Sequence, residues 1–187
     1  MLWTWVMLMP LIAAAFAILM MGQEDDGPTI GGPFELVMAD GSPITEQALD
    51  GRFTFIYFGY TSCPDVCPTS LATLSTALDA MPKDKQQKTQ TFFVSVDPDR
   101  DQGEDLEDYA KTFHDTFIGV TGTKEQIDSM VAAYKAYYKI DKSQDPELYP
   151  VDHSSILYLM GTDGRYVAHF THNSPPERIT KKLEEIL

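Results

Sequence analysis

Two strongly apolar strands with one amphipathic helix between them limit the folds open to this chain more than any other part of it. Residues 53–58 are nearly all β-branched or aromatic, and residues 92–96 repeat this character. Strands that are apolar on both faces are typical of the centre of a parallel sheet. Apolar side chains recur at helical spacing between the strands, at Val66, Leu71, Leu74, Leu78 and Met81. The sequence therefore predicts a β-α-β unit.

Further elements are predicted on both sides of this unit. Residues 34–38 are short and apolar, and the turn signal at residues 39–42 indicates an N-terminal hairpin. The elements predicted after the unit are a helix at 106–113, a short strand at 117–120, a helix from the capping-box pair Thr123 and Gln126 to about Tyr138, a polar loop at 141–152, and a hairpin of 155–160 with 165–170.

A last helix is predicted after residues 174–177, where Ser174 supplies a cap, prolines occupy the first turn and Glu177 follows as a capping acid. Parallel strands followed by a closing antiparallel hairpin and a helix are the thioredoxin-like arrangement. The fold class is therefore α/β and thioredoxin-like, with a central mixed sheet flanked by helices and a peroxiredoxin-type insertion between its halves.

The N-terminal segment differs from the rest of the chain. Residues 2–21 carry no charge, and a run of about 20 apolar residues is long enough to span a membrane. A cleaved signal peptide is the alternative, but no basic residue precedes the run and its end is bulky. We predict a transmembrane anchor at 1–22, a linker at 23–33 that is rich in Gly, Pro and Asp, and a soluble domain at 34–187.

The net charge of −14 argues against a nucleic-acid partner, because phosphate binding requires clustered Lys and Arg side chains. Plain solubility explains an acidic surface, which also favours cations or basic partners. The two cysteines are compatible with an oxidising compartment.

The cysteines, Cys63 and Cys67, follow the first buried strand and open the first helix. Residues four apart share one helical face, so the two sulfurs can converge on one ion or close a disulfide. A helix N-terminus lowers the pKa of a thiol, so we expect thiolates here. Two thiolates favour a soft metal such as Cu(I). Two buried core cysteines, or one passive disulfide, are the structural alternative.

His153 is the histidine best placed to complete this site. In a thioredoxin-like fold, the loop before the third main strand packs against the cysteine motif, and His153 lies in that loop. Asp97 ends the second buried strand at the sheet edge that ligands favour. A cap for the following helix or a turn residue is the favoured explanation of this aspartate, and a place near the site is the alternative. Asp152 is a candidate to orient the His153 ring.

Spacing leaves two uses of the site open, a metal-binding protein and a thiol-disulfide oxidoreductase. Thioredoxins use two residues between their cysteines, and three alter the geometry and redox poise. A peroxiredoxin is disfavoured because no Arg lies near Cys63 in sequence, and structural zinc is disfavoured because it takes four protein ligands.

Several motifs resemble those of the Sco/SenC family of copper chaperones, in the same order along the chain: 59–68, 95–101, 119–123, and 151–154 ahead of the turn at 161–164. The resemblance covers nearly all of residues 30–187, and the anchor is similar too. It implies that Cys63, Cys67 and His153 bind copper, as Cu(I), Cu(II) or both.

The implied role is to deliver copper to the binuclear copper site of cytochrome c oxidase subunit II, or to reduce the cysteines of that site. Copper donors and thiol reductants are further implied partners. The implied location is a bacterial inner membrane with the domain in the periplasm, or the mitochondrial inner membrane with the domain in the intermembrane space.

Overall fold

The computed structural model describes residues 29–143, 145 and 149–187. The predicted anchor at 1–22 and the linker up to residue 28 lie outside the described residues. Within those residues, no helix combines the length and the apolar character needed to cross a membrane.

Of the nine strands in the described residues, seven form one mixed sheet in the order β2-β1-β5-β4-β3-β8-β9, and the other two form a separate ribbon. The strands are β1 (Glu35–Met38), β2 (Pro43–Thr45), β3 (Phe53–Gly59), β4 (Thr89–Ser95), β5 (Phe117–Thr121), β6 (Tyr138–Ile140), β7 (Val151–His153), β8 (Ile156–Met160) and β9 (Tyr166–Thr171). The helices are α1 (Val66–Asp79), α2 (Lys83–Gln86), α3 (Gly103–Phe113), α4 (Lys124–Ala133) and α5 (Pro176–Ile186), with a 3-10 turn at Glu46–Leu49.

The predicted β-α-β unit forms the centre of the sheet. Strands β3 and β4 pair in parallel, with Phe58 opposite Val94, and α1 connects them. On its other side β3 pairs antiparallel with β8, placing Phe55 opposite Leu159. Nearly all of these side chains are fully buried, as expected for strands that are apolar on both faces.

The core order β4-β3-β8-β9, with β8 antiparallel to β3 and α5 closing the chain, is the predicted thioredoxin-like arrangement. Strand β5 extends the sheet in parallel beside β4, and the N-terminal hairpin of β1 and β2 adds to its edge. The α/β prediction, the hairpin at its start and the hairpin before the last helix are confirmed.

The helix predicted to run from Thr123 to about Tyr138 ends earlier, at Ala133. Its capping box forms as expected. At the other end Lys135 takes a left-handed conformation with φ of 55°, and the Ala136 N–H donates to the Val131 carbonyl. This is a Schellman ending, which most often uses glycine. Because a lysine stands at the left-handed position, the sequence carries no stop signal.

The polar loop predicted over residues 141–152 is wrong at its end, because Val151 and Asp152 belong to strand β7. This strand pairs antiparallel with β6, which begins at Tyr138, the residue at which the predicted helix was expected to end. Two strands of three residues give little local pattern, and each forms only because the other is beside it.

Two smaller predictions also need correction. Strand β4 begins at Thr89 rather than Phe92, because the polar side chains of Thr89 and Gln90 are buried and hydrogen-bonded to the Gln86 and Ala48 carbonyls. The Ser174 hydroxyl does not cap α5. It accepts a hydrogen bond from the backbone N–H of Thr171 instead, and Pro175 occupies the capping position.

Candidate metal centre

The two cysteines lie where β3 passes into α1. Cys63 is in the short loop after β3, in a turn closed by its N–H on the Tyr60 carbonyl. Cys67 is the second residue of α1 and is fully buried, whereas Cys63 retains 8% of its surface. Neither thiol is in a disulfide. Cys67 therefore forms the floor of the site and Cys63 its rim.

His153, the last residue of β7, completes the site. Its Nε2 lies 3.3 Å from the Cys67 sulfur and 3.9 Å from the Cys63 sulfur. All three donor atoms lie within 4.8 Å of one another. Across the described part of the chain, no other group of three His, Cys, Asp or Glu side chains is close enough to hold one ion.

The separations of these atoms suit one soft metal ion. Metal bonds of about 2.3 Å to sulfur and about 2.0 Å to nitrogen, at trigonal angles, separate the two donors by about 3.7 Å. The two distances from His153 fall on either side of this value. Two thiolates and an imidazole are ligands that Cu(I) accepts, and three ligands leave the ion open to a partner. The donor set can therefore hold copper.

The His153 ring is held in a fixed orientation. The rings of Tyr57 and Tyr60 meet it edge-on, with centroids 6.1 and 5.8 Å away. Its Nδ1 faces the Ser154 carbonyl at 3.3 Å, which directs Nε2 at the sulfurs. Burial lowers the pKa of His153, against the opposing effect of backbone groups and Asp152. The neutral ring is the form that binds metal.

The expectation of a lowered thiol pKa is wrong for Cys67. Burial raises its pKa well above the ordinary value, and this outweighs the opposing backbone hydrogen bond from Tyr60. A fully buried sulfur loses solvation as an anion, and the helix terminus does not compensate for that loss. A metal ion that binds here would supply the missing positive charge.

Gly59 makes room for the buried sulfur. A Cβ atom at this position would lie 2.6 Å from the Cys67 sulfur and 2.9 Å from the Phe93 ring. Sequence reasoning assigned Gly59 no role, although it is in the motif before the cysteines. The signal that could have identified this role is a glycine at the end of a buried strand, shortly before a pair of cysteines.

Neither predicted carboxylate contacts the donor atoms. Asp97 is fully buried, and its oxygens accept from the Arg100 guanidinium at 2.5 Å and the Tyr149 hydroxyl at 2.7 Å. The Asp152 side chain is exposed, and its influence on His153 is the attraction of its charge. The carbonyl of Ser154 supplies the partner that Nδ1 was expected to have.

The other three histidines lie elsewhere. His114 packs between Gln86 and Thr116, His169 contacts the Tyr166 hydroxyl, and His172 is exposed after β9.

Comparison with protein families identifies one match. The SCO1/SenC family model matches residues 22–187. A SCO2-like protein of Rickettsia prowazekii is 40% identical over 147 residues, which cover 78% of this chain and 71% of the relative. The mitochondrial SCO1 homolog 1 of Arabidopsis thaliana is 39% identical over 151 residues, 81% of this chain. The chain spans 45% of the length of that mitochondrial relative.

A solved structure has the same fold. ScoI of Bradyrhizobium japonicum with copper bound superposes with a TM-score of 0.76 at 40% identity, over 84% of this chain and 99% of that one.

Proposed function

Because this chain belongs to the SCO1/SenC family, we propose that it binds copper through Cys63, Cys67 and His153 and serves in the assembly of cytochrome c oxidase. The observation that carries the proposal is the convergence of two sulfurs and one imidazole nitrogen within 4.8 Å. A copper-bound relative of the same fold supports the identity of the metal.

Exposure within the site suits transfer rather than storage. Cys67 is sealed beneath the loop, whereas Cys63 and His153 lie at the rim. A partner's ligand can reach the ion from the rim side and displace one donor at a time. We therefore infer a metallochaperone, and the family resemblance implies that its copper passes to the binuclear site of oxidase subunit II.

The rest of the chain supports delivery at a membrane surface. The proposed anchor at 1–22 and linker at 23–33 would tether the domain at 34–187 on the periplasmic or intermembrane-space side. Asp152 would favour the metal-bound form through its charge, and Asp97 would act through Tyr149 rather than at the metal.

Copper titration tests the ligand set. We expect the wild-type protein to bind one copper ion, and His153→Ala to bind it at least about tenfold more weakly with an altered spectrum. His169→Ala is the matched control, since this exposed histidine lies on β9 and contacts Tyr166. Equal affinity and equal spectra for wild type and His153→Ala would remove His153 from the site.

Thiol-disulfide exchange is the second candidate function. Two free thiols whose sulfurs lie within 4.8 Å favour it, since a small movement would allow a disulfide. The buried Cys67 thiol, with its raised pKa, weakens it, because thiolates are the attacking species. Rapid reduction of an oxidised subunit II peptide by the metal-free protein would favour this function over copper delivery.

Deleting the gene tests the cellular role. We expect oxidase activity to fall and added copper to restore part of it. Normal oxidase activity in the deletion strain, at low and at high copper alike, would contradict the assembly function.

A further inference from the structure

The turn that follows β4 contacts both halves of the candidate metal centre. It runs from Asp97 to Asp101, with the N–H of Asp101 donating to the Asp97 carbonyl at 3.0 Å. The cysteine loop and His153 belong to segments 90 residues apart in sequence. This Asp97–Asp101 turn is hydrogen-bonded to the segments that carry each of them.

The C-terminal end of the Asp97–Asp101 turn is hydrogen-bonded to the cysteine loop. The carboxylate of Asp101, 2% exposed, accepts from the Thr61 backbone N–H at 2.8 Å and the Thr61 hydroxyl at 2.5 Å. It also accepts from the Ser95 hydroxyl at 2.6 Å, which ties the contact to the end of β4. Thr61 lies two residues before Cys63, so these bonds fix where the loop begins.

The N-terminal end of the Asp97–Asp101 turn is hydrogen-bonded to the segment that leads into His153. The Tyr149 hydroxyl donates to the buried carboxylate of Asp97 at 2.7 Å. The Arg100 guanidinium lies 3.7 Å from the centre of the Tyr149 ring and donates to the same carboxylate. Tyr149 stands four residues before His153, and Val151 between them is buried.

Arg100 also connects the turn to the ring packed on His153. Its guanidinium lies 5.6 Å from the centre of the Tyr60 ring, which meets the His153 ring edge-on.

We infer that the Asp97–Asp101 turn positions the two halves of the metal centre relative to each other, with Thr61 and Tyr149 as its two contacts. The inference rests on the proposed copper-binding function. Charge-assisted hydrogen bonds are the stronger class, and here each ties a ligand-bearing segment to one short turn. A site held in its bound geometry loses less conformational freedom when the ion arrives.

Two conservative substitutions test this positioning role. Tyr149→Phe removes the hydroxyl and keeps the ring under Arg100, while Thr61→Val removes one donor to Asp101 and keeps the side-chain shape. We expect each to weaken Cu(I) binding about tenfold in competition with a chelator, and to shift the absorption spectrum of the Cu(II) form. Tyr166→Phe and Thr180→Val each remove a hydroxyl bond that involves neither the turn nor the metal-binding residues, to His169 and to the Ala77 carbonyl, and should change neither.

The outcomes separate this inference from the proposed function. If wild type binds copper and both variants match it in affinity and spectrum, the turn does not position the site, even where the variants melt earlier. If wild type binds no copper, the proposed function is wrong. In that case, amide hydrogen exchange of the metal-free protein tests whether the turn positions the segment that carries His153. Faster exchange at residues 151–153 in Tyr149→Phe than in Tyr166→Phe supports this positioning role, and equal exchange overturns it.

Discussion

At the scale of single residues, the packing around the Cys67 sulfur determines the geometry of the metal centre. Cys67 has no solvent-exposed surface, and the room for its sulfur exists because Gly59 has no side chain. The rings of Tyr57 and Tyr60 fix the histidine that faces this sulfur. Close packing of this kind tolerates little added volume.

Gly59→Ala is expected to damage the metal centre. The added methyl would overlap the Cys67 sulfur and the Phe93 ring, so the sulfur must move. We expect a loss of about 1–3 kcal/mol in the free energy of unfolding and copper binding weakened at least about tenfold. Urea unfolding and chelator competition measure the two effects.

Gly119→Ala is the control, because its methyl would come within 2.6 Å of the Leu106 carbonyl oxygen, away from the metal centre. It should destabilise the fold and leave the copper spectrum unchanged. A Gly59→Ala protein with wild-type copper affinity would contradict the role assigned to this glycine.

His114 predicts part of the pH dependence of stability. Burial lowers its pKa, and its neutral ring fits between the Gln86 side-chain oxygen and the Thr116 N–H. Above the ordinary histidine pKa near 6.5, the ring is neutral in both the folded and the unfolded chain, so the lowered pKa costs no stability. As the pH falls below it, the unfolded chain takes up the proton first and the free energy of unfolding decreases.

Urea unfolding at pH 7.5 and pH 5 tests this prediction. His114→Gln should lose less stability than wild type over that interval, because its side chain does not titrate. The lowered pKa of His153 is present in both proteins, so the difference belongs to His114. An equal loss in the two proteins would refute the assignment.

At the scale of elements, two short segments decide where the histidine lies. Strand β7 ends at His153, and β6 pairs with it through Tyr138 opposite His153. Strand β6 begins only a few residues after α4 ends, so the way α4 stops at Ala133 sets where β6 can start. A helix continued to Tyr138 would remove this partner of β7.

Thr123→Ala is expected to weaken the start of α4. The Thr123 hydroxyl accepts from the Gln126 N–H, and the Gln126 side chain accepts from the Thr123 N–H. Loss of such a cap costs about 1 kcal/mol, measurable by thermal unfolding. Thr112→Ala, which removes an exposed hydroxyl bond inside α3, is the control and should cost less.

At the scale of the whole molecule, the metal centre and the N-terminal end of the described domain lie at opposite ends of strand β3. Gly32 and Pro33 line one surface pocket with Asp163 and Gly164, beside the start of β3. The cysteines follow the other end of β3. The proposed tether would therefore join the domain at the end of β3 that is remote from the cysteines.

This arrangement predicts that anchoring and metal binding are separable. We expect the full chain to sediment with membranes and to resist carbonate extraction, and residues 29–187 to remain in the supernatant with unchanged copper affinity. Complete release of the full chain by carbonate would contradict the proposed anchor, and a loss of copper binding on truncation would contradict the separation.

Local sequence patterns determined much of this protein. The β-α-β centre, the two hairpins and the capped start of α4 follow from side-chain periodicity and turn residues, which report on the backbone nearby. The spacing of Cys63 and Cys67 placed both sulfurs at one helix start, and position before the hairpin selected His153. Two thiolates beside a histidine already favoured a soft metal such as Cu(I), and the family motifs alone suggested the recipient of that copper.

Only the tertiary structure decided the rest. The fold pairs β6 with β7 and raises the pKa of Cys67 by burying it. It also places the Asp97 carboxylate against Tyr149 instead of the metal ligands, and it packs the Cys67 sulfur where Gly59 has no side chain. Each of these depends on atoms that the fold brings together from separate segments of the chain. Desolvation and steric room are properties of the packed neighbourhood, so no pattern within one segment can express them.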